Sequence, residues 1–148
     1  MNDPRVIMLA FLTTMFAAWA GLVLGVSFLS ARAKFRAPSI TLPVAMDVGR
    51  QTFRVLSRTE MLLAVTASAV CAAAPNTLIV VGLVIVWSVI EAERVWLLPV
   101  LDLRAGIRMT GRMPHSSHHH ALFARLEMVK ALLLLVCSGV ATLTIAQK

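Results

Sequence analysis

The sequence predicts an all-α integral membrane protein: a four-helix bundle with antiparallel neighbours and an interfacial amphipathic helix in its first loop. Three observations carry this expectation. The 148 residues are 59% hydrophobic and only 14% charged, whereas soluble domains run at roughly 45–50% and about 25%. A water-soluble chain this apolar would expose large adhesive patches. The apolar residues also gather into four runs, and about 20 helical residues at ~1.5 Å rise cross a ~30 Å hydrocarbon core. Finally, nine of the 14 basic residues fall in two connecting segments, 30–60 and 98–120, the bias expected of cytoplasmic loops. The net charge of +7 is thus concentrated where topology needs it, and no nucleic-acid partner is expected.

The first run, about 6–29, carries no charge and inserts unaided. A cleaved signal peptide is the alternative, with Ala31, Arg32 and Ala33 as a small-x-small site. However, Asp3 offsets Arg5 ahead of the run, and the run exceeds the usual ~7–15 apolar residues. A retained span is expected. The second span, about 57–74, has a short apolar core from Met61 and gains its length from the preceding RQTFRVLSRTE. Pro75 and Asn76 then break the chain into a tight helical hairpin with the third span, about 77–98. The fourth covers about 121–146.

These spans make one transmembrane domain, residues 1–148. Four crossings put both termini and the Pro75–Asn76 turn on one side and the two basic loops on the other. The charge bias assigns the loops to the cytoplasm and the termini to the periplasm of a bacterial inner membrane. Cys71 and Cys137 lie inside apolar runs without C-x-x-C spacing and read as small buried hydrophobes, a disulfide between them being the minor alternative.

Several stretches carry possible function. Ala17, Gly21 and Gly25 recur at i+4 in the first span, a small-residue stripe suited to close helix packing. Packing within the bundle is the first expectation, and a seam with a second copy or another subunit the second. In the first loop Asp47, Arg50, Arg54 and Arg58 form one helical stripe. The three arginines there suit lipid headgroups, and an anionic ligand on the stripe is the alternative. In the third span Glu91 and Arg94 stand at i, i+3, as do Glu127 and Lys130 in the fourth. Both pairs fall toward the loop side, and intramembrane charges must pair or reach water. A cross-helix network is expected, for example Glu91 with Lys130 and Arg94 with Glu127. It would either lock the helices in register or provide an ion pathway.

His115, His118, His119 and His120 precede the fourth span. Neutral imidazoles there could bind copper, nickel, zinc or haem iron, and Met109 and Met113 lie close by for copper. Yet Pro114 disfavours a helical i, i+4 pair across His115 and His119, and no carboxylate or thiol completes a recognised zinc pattern. A solvated loop, with Ser116 or Ser117 capping the helix, is the plainer reading. No G-x-S-x-G, P-loop or G-x-G-x-x-G motif is present, so no catalytic residues are assigned and no enzyme activity is expected.

The segments KFRAPSITLPVAMDVGRQTF (34–53) and LLPVLDLRAGIRMTGRMPHSSHHHALFARLEMVK (97–130) resemble a family of small four-helix bacterial membrane proteins. That family carries K-F-x-A-P-S, D-x-G-R, and L-P-x-L-D-x-R-A followed by His and E-x-x-K. The resemblance covers most of the chain and implies topology without a mechanism. It directs attention to Lys34, Asp47, Arg50, Asp102, Arg104, His119, His120, Glu127 and Lys130, all toward the loop side. Asp47, Glu91, Asp102 and Glu127 could meet Arg50, Arg94, Arg104 and Lys130 in one polar layer that binds a headgroup, a quinone or a partner protein, or that only closes the bundle. The leading functional expectation is a non-catalytic scaffold or accessory subunit, with membrane lipids and a protein partner or second copy as its contacts. A solute or metal-ion transporter working through the charged pairs is the first alternative, and a haem- or quinone-associated redox subunit the second. No cofactor is favoured.

Overall fold

In the computed structural model, which describes residues 3–109 and 118–147, the chain is all helical and forms an up-down-up-down bundle. Helix α1, Pro4–Leu24, starts where Asp3 accepts a hydrogen bond from the Arg5 amide and Pro4 occupies the first turn, a position where its missing N–H costs nothing. A π-helical turn at Gly25–Ser30 leads into α2, Ala31–Arg36. Helix α3 covers Leu42–Ala73 and α4 Thr77–Ala92. A second π-helical turn, Glu93–Leu97, joins α4 to α5, Leu98–Met109. Helix α6 covers His119–Ala146.

The expected hairpin break is present. Asn76 caps α4 by accepting from the Leu78 and Ile79 amides, and its amide nitrogen donates to Thr144 Oγ1. The cap therefore also ties the hairpin to the far end of α6.

Around the bundle the neighbours run α1, α6, α4, α3 and back to α1, with each adjacent pair antiparallel. The contact of α1 with α6 is the most extensive. On α1, Leu12, Phe16, Trp19, Ala20 and Val23 are buried. They meet a face of α6 that includes Ala131, Ser138 and Ala141, small residues that let the backbones approach. Ser138 Oγ donates to the Thr13 carbonyl of α1 at 2.9 Å.

Three segments, Pro4–Lys34, Leu42–Ala73 and His119–Ala146, are long and apolar enough to cross a membrane. The outer surface fits that solvent. Leu62, Val65, Val84, Leu132 and Val136 all point outward, while carboxylates are found inside. This is the reverse of a water-soluble bundle.

Three expectations need correction. No separate interfacial helix precedes the second span: the arginine stripe is the N-terminal part of the continuous α3, because nothing between Leu42 and Ala73 breaks the helix. The helices expected as the first and third spans likewise continue through their π-helical turns beyond residues 29 and 98. The stripe Ala17, Gly21, Gly25 does not pack the bundle. Ala17 and Gly21 face outward, and a Cβ on Gly21 or Gly25 would touch nothing within 4 Å. Trp19 explains the rotation, since its indole N–H would lack a partner in lipid and finds one inside.

The glycine that close packing does require is Gly82 on α4, where an added Cβ would collide with the buried Cys137 sulfur of α6. Both cysteines are buried free thiols. Gly82→Val is expected to lower stability by ~1–3 kcal/mol through overpacking. Unfolding in mixed micelles would show it, with Gly21→Val as an unaffected control.

Candidate functional site: a lysine held by three buried glutamates

Each inward-facing seam places a charge at a position where its period calls for a core residue. On α4 the seam Ile79, Leu83, Val86, Ile90 continues by steps of three and four to Glu93 and Leu97. On α3 it runs Gly49, Leu56, Glu60, Ala64, Ala67, Cys71. On α6, Phe123, Glu127, Lys130, Ala131 and Leu134 share the inner face. Helix packing therefore carries Glu60, Glu93, Glu127 and Lys130 to one point.

Lys130, with 0% of its surface exposed, sits at the centre. Its Nζ lies 2.9 and 3.0 Å from the two Glu60 oxygens, 2.7 Å from Glu93 Oε2 and 2.7 Å from Glu127 Oε1. An ammonium has three N–H donors, so each carboxylate can take one. Trp19 Nε1 donates to Glu60 Oε1 at 3.1 Å, and Ser27 Oγ donates to Glu127 Oε2 at 2.6 Å. All four helices of the bundle thus reach the cluster. One oxygen is left over: Glu93 Oε1 is buried without a hydrogen-bond partner.

Both π-helical turns border this point. Ser27 lies in the first and Glu93 opens the second. A π-turn inserts one residue into the helical register, and such insertions are frequent at functional sites. Ser27 also lines an open recess with Phe28, Arg32, His120 and Phe123. It therefore connects the buried cluster to the loop end of the bundle.

Nearer that end a second set of charges gathers separately. Asp102 of α5 accepts from Arg50 Nε at 3.2 Å and from Arg54 Nη2 at 2.7 Å. The expected single polar layer is thus two sites, one buried and one at the loop end. Arg50, Asp102 and Arg104 line a common cavity there with Lys34 and His120.

The remaining expected site residues fall elsewhere. Glu91 and Arg94 are exposed on the outer face of their helix, and neither pairs with Lys130 or Glu127. Glu93, two residues from Glu91 and so about 200° around the helix, takes the inward position instead. Asp47 and Arg58 are exposed. The arginine stripe is divided, since Arg50 and Arg54 turn to Asp102 while Arg58 does not.

The described histidines do not converge. His118 is exposed before α6, His119 meets the Trp96 ring edge-on at 6.0 Å, and His120 lines the loop-end cavity. His115, Met113, Arg112, Pro114, Ser116 and Ser117 lie outside the described residues. Among the described residues, the acidic or metal-ligating groups that come together closely are Glu60, Glu93 and Glu127, with one oxygen from each within 4.8 Å of the others. They already surround an ammonium.

Glu60, Glu93, Trp19 and Ser27 were missed as site residues by sequence reasoning. The seam periodicity of α3 and α4 is the signal that could have found the two glutamates. No protein-family model, curated protein or solved structure matches the chain.

Proposed function

We propose that the protein is a small four-span membrane protein that takes up and releases a proton, or a small cation in its place, at the Glu60–Glu93–Glu127–Lys130 cluster. The observation that carries this reading is the imbalance at Lys130: three carboxylates surround one ammonium, and Glu93 Oε1 has no partner. Fully ionised, the four groups would carry a formal charge of −2. Charges in a site shut off from water need compensation, and a proton or cation is the counter-charge the cluster lacks.

Ser27 supports uptake from the loop end, because the residue lines the open recess and its hydroxyl bonds Glu127. On the opposite side Trp19, Phe16, Val86 and Leu134 close the bundle. That packing favours a carrier, which must rearrange to release its ion across the membrane, over an open pore. The third span in this reading is α4 with its continuation into α5. The basic residues of the two loops support a reading with the loop end in the cytoplasm and the termini in the periplasm. The family resemblance belongs to the same proposal and adds topology alone. The process is binding and release, with no covalent step.

The test is proton movement into liposomes that contain the purified protein and a trapped pH-sensitive dye. Wild-type protein is expected to collapse an imposed pH gradient, and Glu93→Gln to remove most of that rate. Arg94→Gln, on the outer face, should leave it unchanged. Equal rates for wild-type, Glu93→Gln and protein-free liposomes would rule the reading out.

That result would leave a scaffold or accessory subunit, in which the cluster only fixes the helices. One observation favours this second reading: the small residues Ala17 and Gly21 lie open on the outer face, where another helix could approach closely.

A further inference from the structure

The loop-end cavity is distinct from the buried cluster and has a chemistry of its own. It measures about 240 Å³ and lies between α2, the first turns of α3, α5 and the start of α6. Three cations, Lys34, Arg50 and Arg104, line it against one carboxylate, Asp102. Counting His120 as neutral, the lining has a formal charge of +2. Asp102 is shared between Arg50 and Arg54. Arg50 makes that bond through Nε, and its two terminal nitrogens have no hydrogen bond to a described residue. A guanidinium edge in that state is suited to two oxygens of an acidic group.

Lys34 is held in the cavity by construction. Its ammonium lies 5.4 Å from the centre of the Phe53 ring, a cation–π distance. It also rests against Gly49, where an added Cβ would come 2.7 Å from Nζ and 3.5 Å from Cε. Gly49 sits in the interior of α3, where glycine is unfavourable for the helix. The space it leaves is what the lysine terminus occupies.

The other wall is apolar, with Leu42, Met46, Leu98 and Leu101. A hydrated inorganic anion would gain nothing from such a wall, whereas an acyl chain would. The volume is below the ~300–1,000 Å³ that encloses a drug-sized ligand, so the cavity fits a headgroup and the first part of a tail. We propose that it binds the acidic headgroup, phosphate or carboxylate, of a membrane amphiphile, with the tail leaving along the apolar wall. This site is independent of ion uptake at Lys130.

The test is lipid retention by the intact protein in mild detergent, read by native mass spectrometry. Phosphatidylglycerol and phosphatidylcholine with the same acyl chains serve as probes. Phosphatidylglycerol is expected to bind about tenfold more tightly, and Arg50→Gln to remove about tenfold of its affinity through one lost charge-assisted contact. Asp102 keeps Arg54 in that variant, so the fold is retained. Gly49→Ala is the sharper probe. It should weaken binding by displacing the Lys34 ammonium while leaving thermal stability unchanged or raised, because alanine favours the helix. Equal retention of the two lipids, or unchanged affinity in both variants, would overturn the proposal. Displacement of the lipid by millimolar inorganic phosphate, leaving phosphate bound, would overturn the amphiphile assignment and give the site to a soluble anion.

Discussion

Lys130→Met is expected to destabilise the protein by at least ~3–5 kcal/mol, the usual cost of removing one partner from a buried ion pair. The loss here is concentrated, because a single ammonium neutralises carboxylates from three helices. Without it, Glu60, Glu93 and Glu127 face one another with oxygens less than 5 Å apart, and like charges in a dry site repel strongly. Methionine nearly matches the volume, so the effect reports charge and not a cavity. Adding Glu60→Gln, Glu93→Gln and Glu127→Gln to the same chain should recover much of the stability, since amides can bond one another without repulsion. Unfolding curves in mixed micelles compare the two variants directly. A single variant as stable as wild-type would mean that the carboxylates are already neutral, and the charge imbalance at Lys130 would no longer stand.

Trp19→Ala is the second large effect, again about 3–5 kcal/mol, as for other buried aromatic truncations. Trp19 is 1% exposed and lies in the contact of α1 with α6 and α3. In lipid the loss comes from packing contacts and not from exposure to water. Trp19→Phe keeps most of the ring and deletes the N–H that Glu60 Oε1 accepts. It should cost about 1.5–3 kcal/mol, the range for one bond to a charged acceptor. The difference between the two variants separates packing from hydrogen bonding. Similar losses in both would show that the indole N–H dominates and that the ring is loosely packed.

Much of the architecture was legible because lipid imposes simple rules. Apolar length marked the helices, Pro75 and Asn76 marked the hairpin, and the antiparallel order followed from the short connections. What the sequence concealed was rotation. Ala17 and Gly21 looked like a packing stripe, but spacing alone does not say which face of α1 turns inward; Trp19 and its partner Glu60, 41 positions away, decide that. Glu91 and Glu93 differ by two positions and occupy opposite faces, and a pairing rule based on i, i+3 chose Glu91. The α4 seam from Ile79 to Leu97 contained the answer, because Glu93 falls on it and Glu91 does not. The two π-helical turns left no mark in composition. Glu127 and Lys130 were identified from residue type and depth, Arg50 from its helical stripe and Asp102 from the family resemblance, but their partners depended on helix rotation.

In the proposed ion-uptake reading, access to Lys130 from one end has an electrical consequence. The lysine is 11 positions along α6 from His119, roughly 16 Å at the helical rise, which is about half of a ~30 Å core where His119 marks the core's edge. In the membrane reading, a charge moving from the recess at Ser27 to this depth crosses part of the transmembrane field. A complete crossing is worth about 2.3 kcal/mol per elementary charge per 100 mV, and a site near mid-depth takes roughly half of that. Membrane voltage would therefore shift the cluster's occupancy several-fold, filling or emptying it as the membrane is energised. A bundle of this size, without a dedicated sensor helix, would then report the potential across it through a single lysine and the three acids around it.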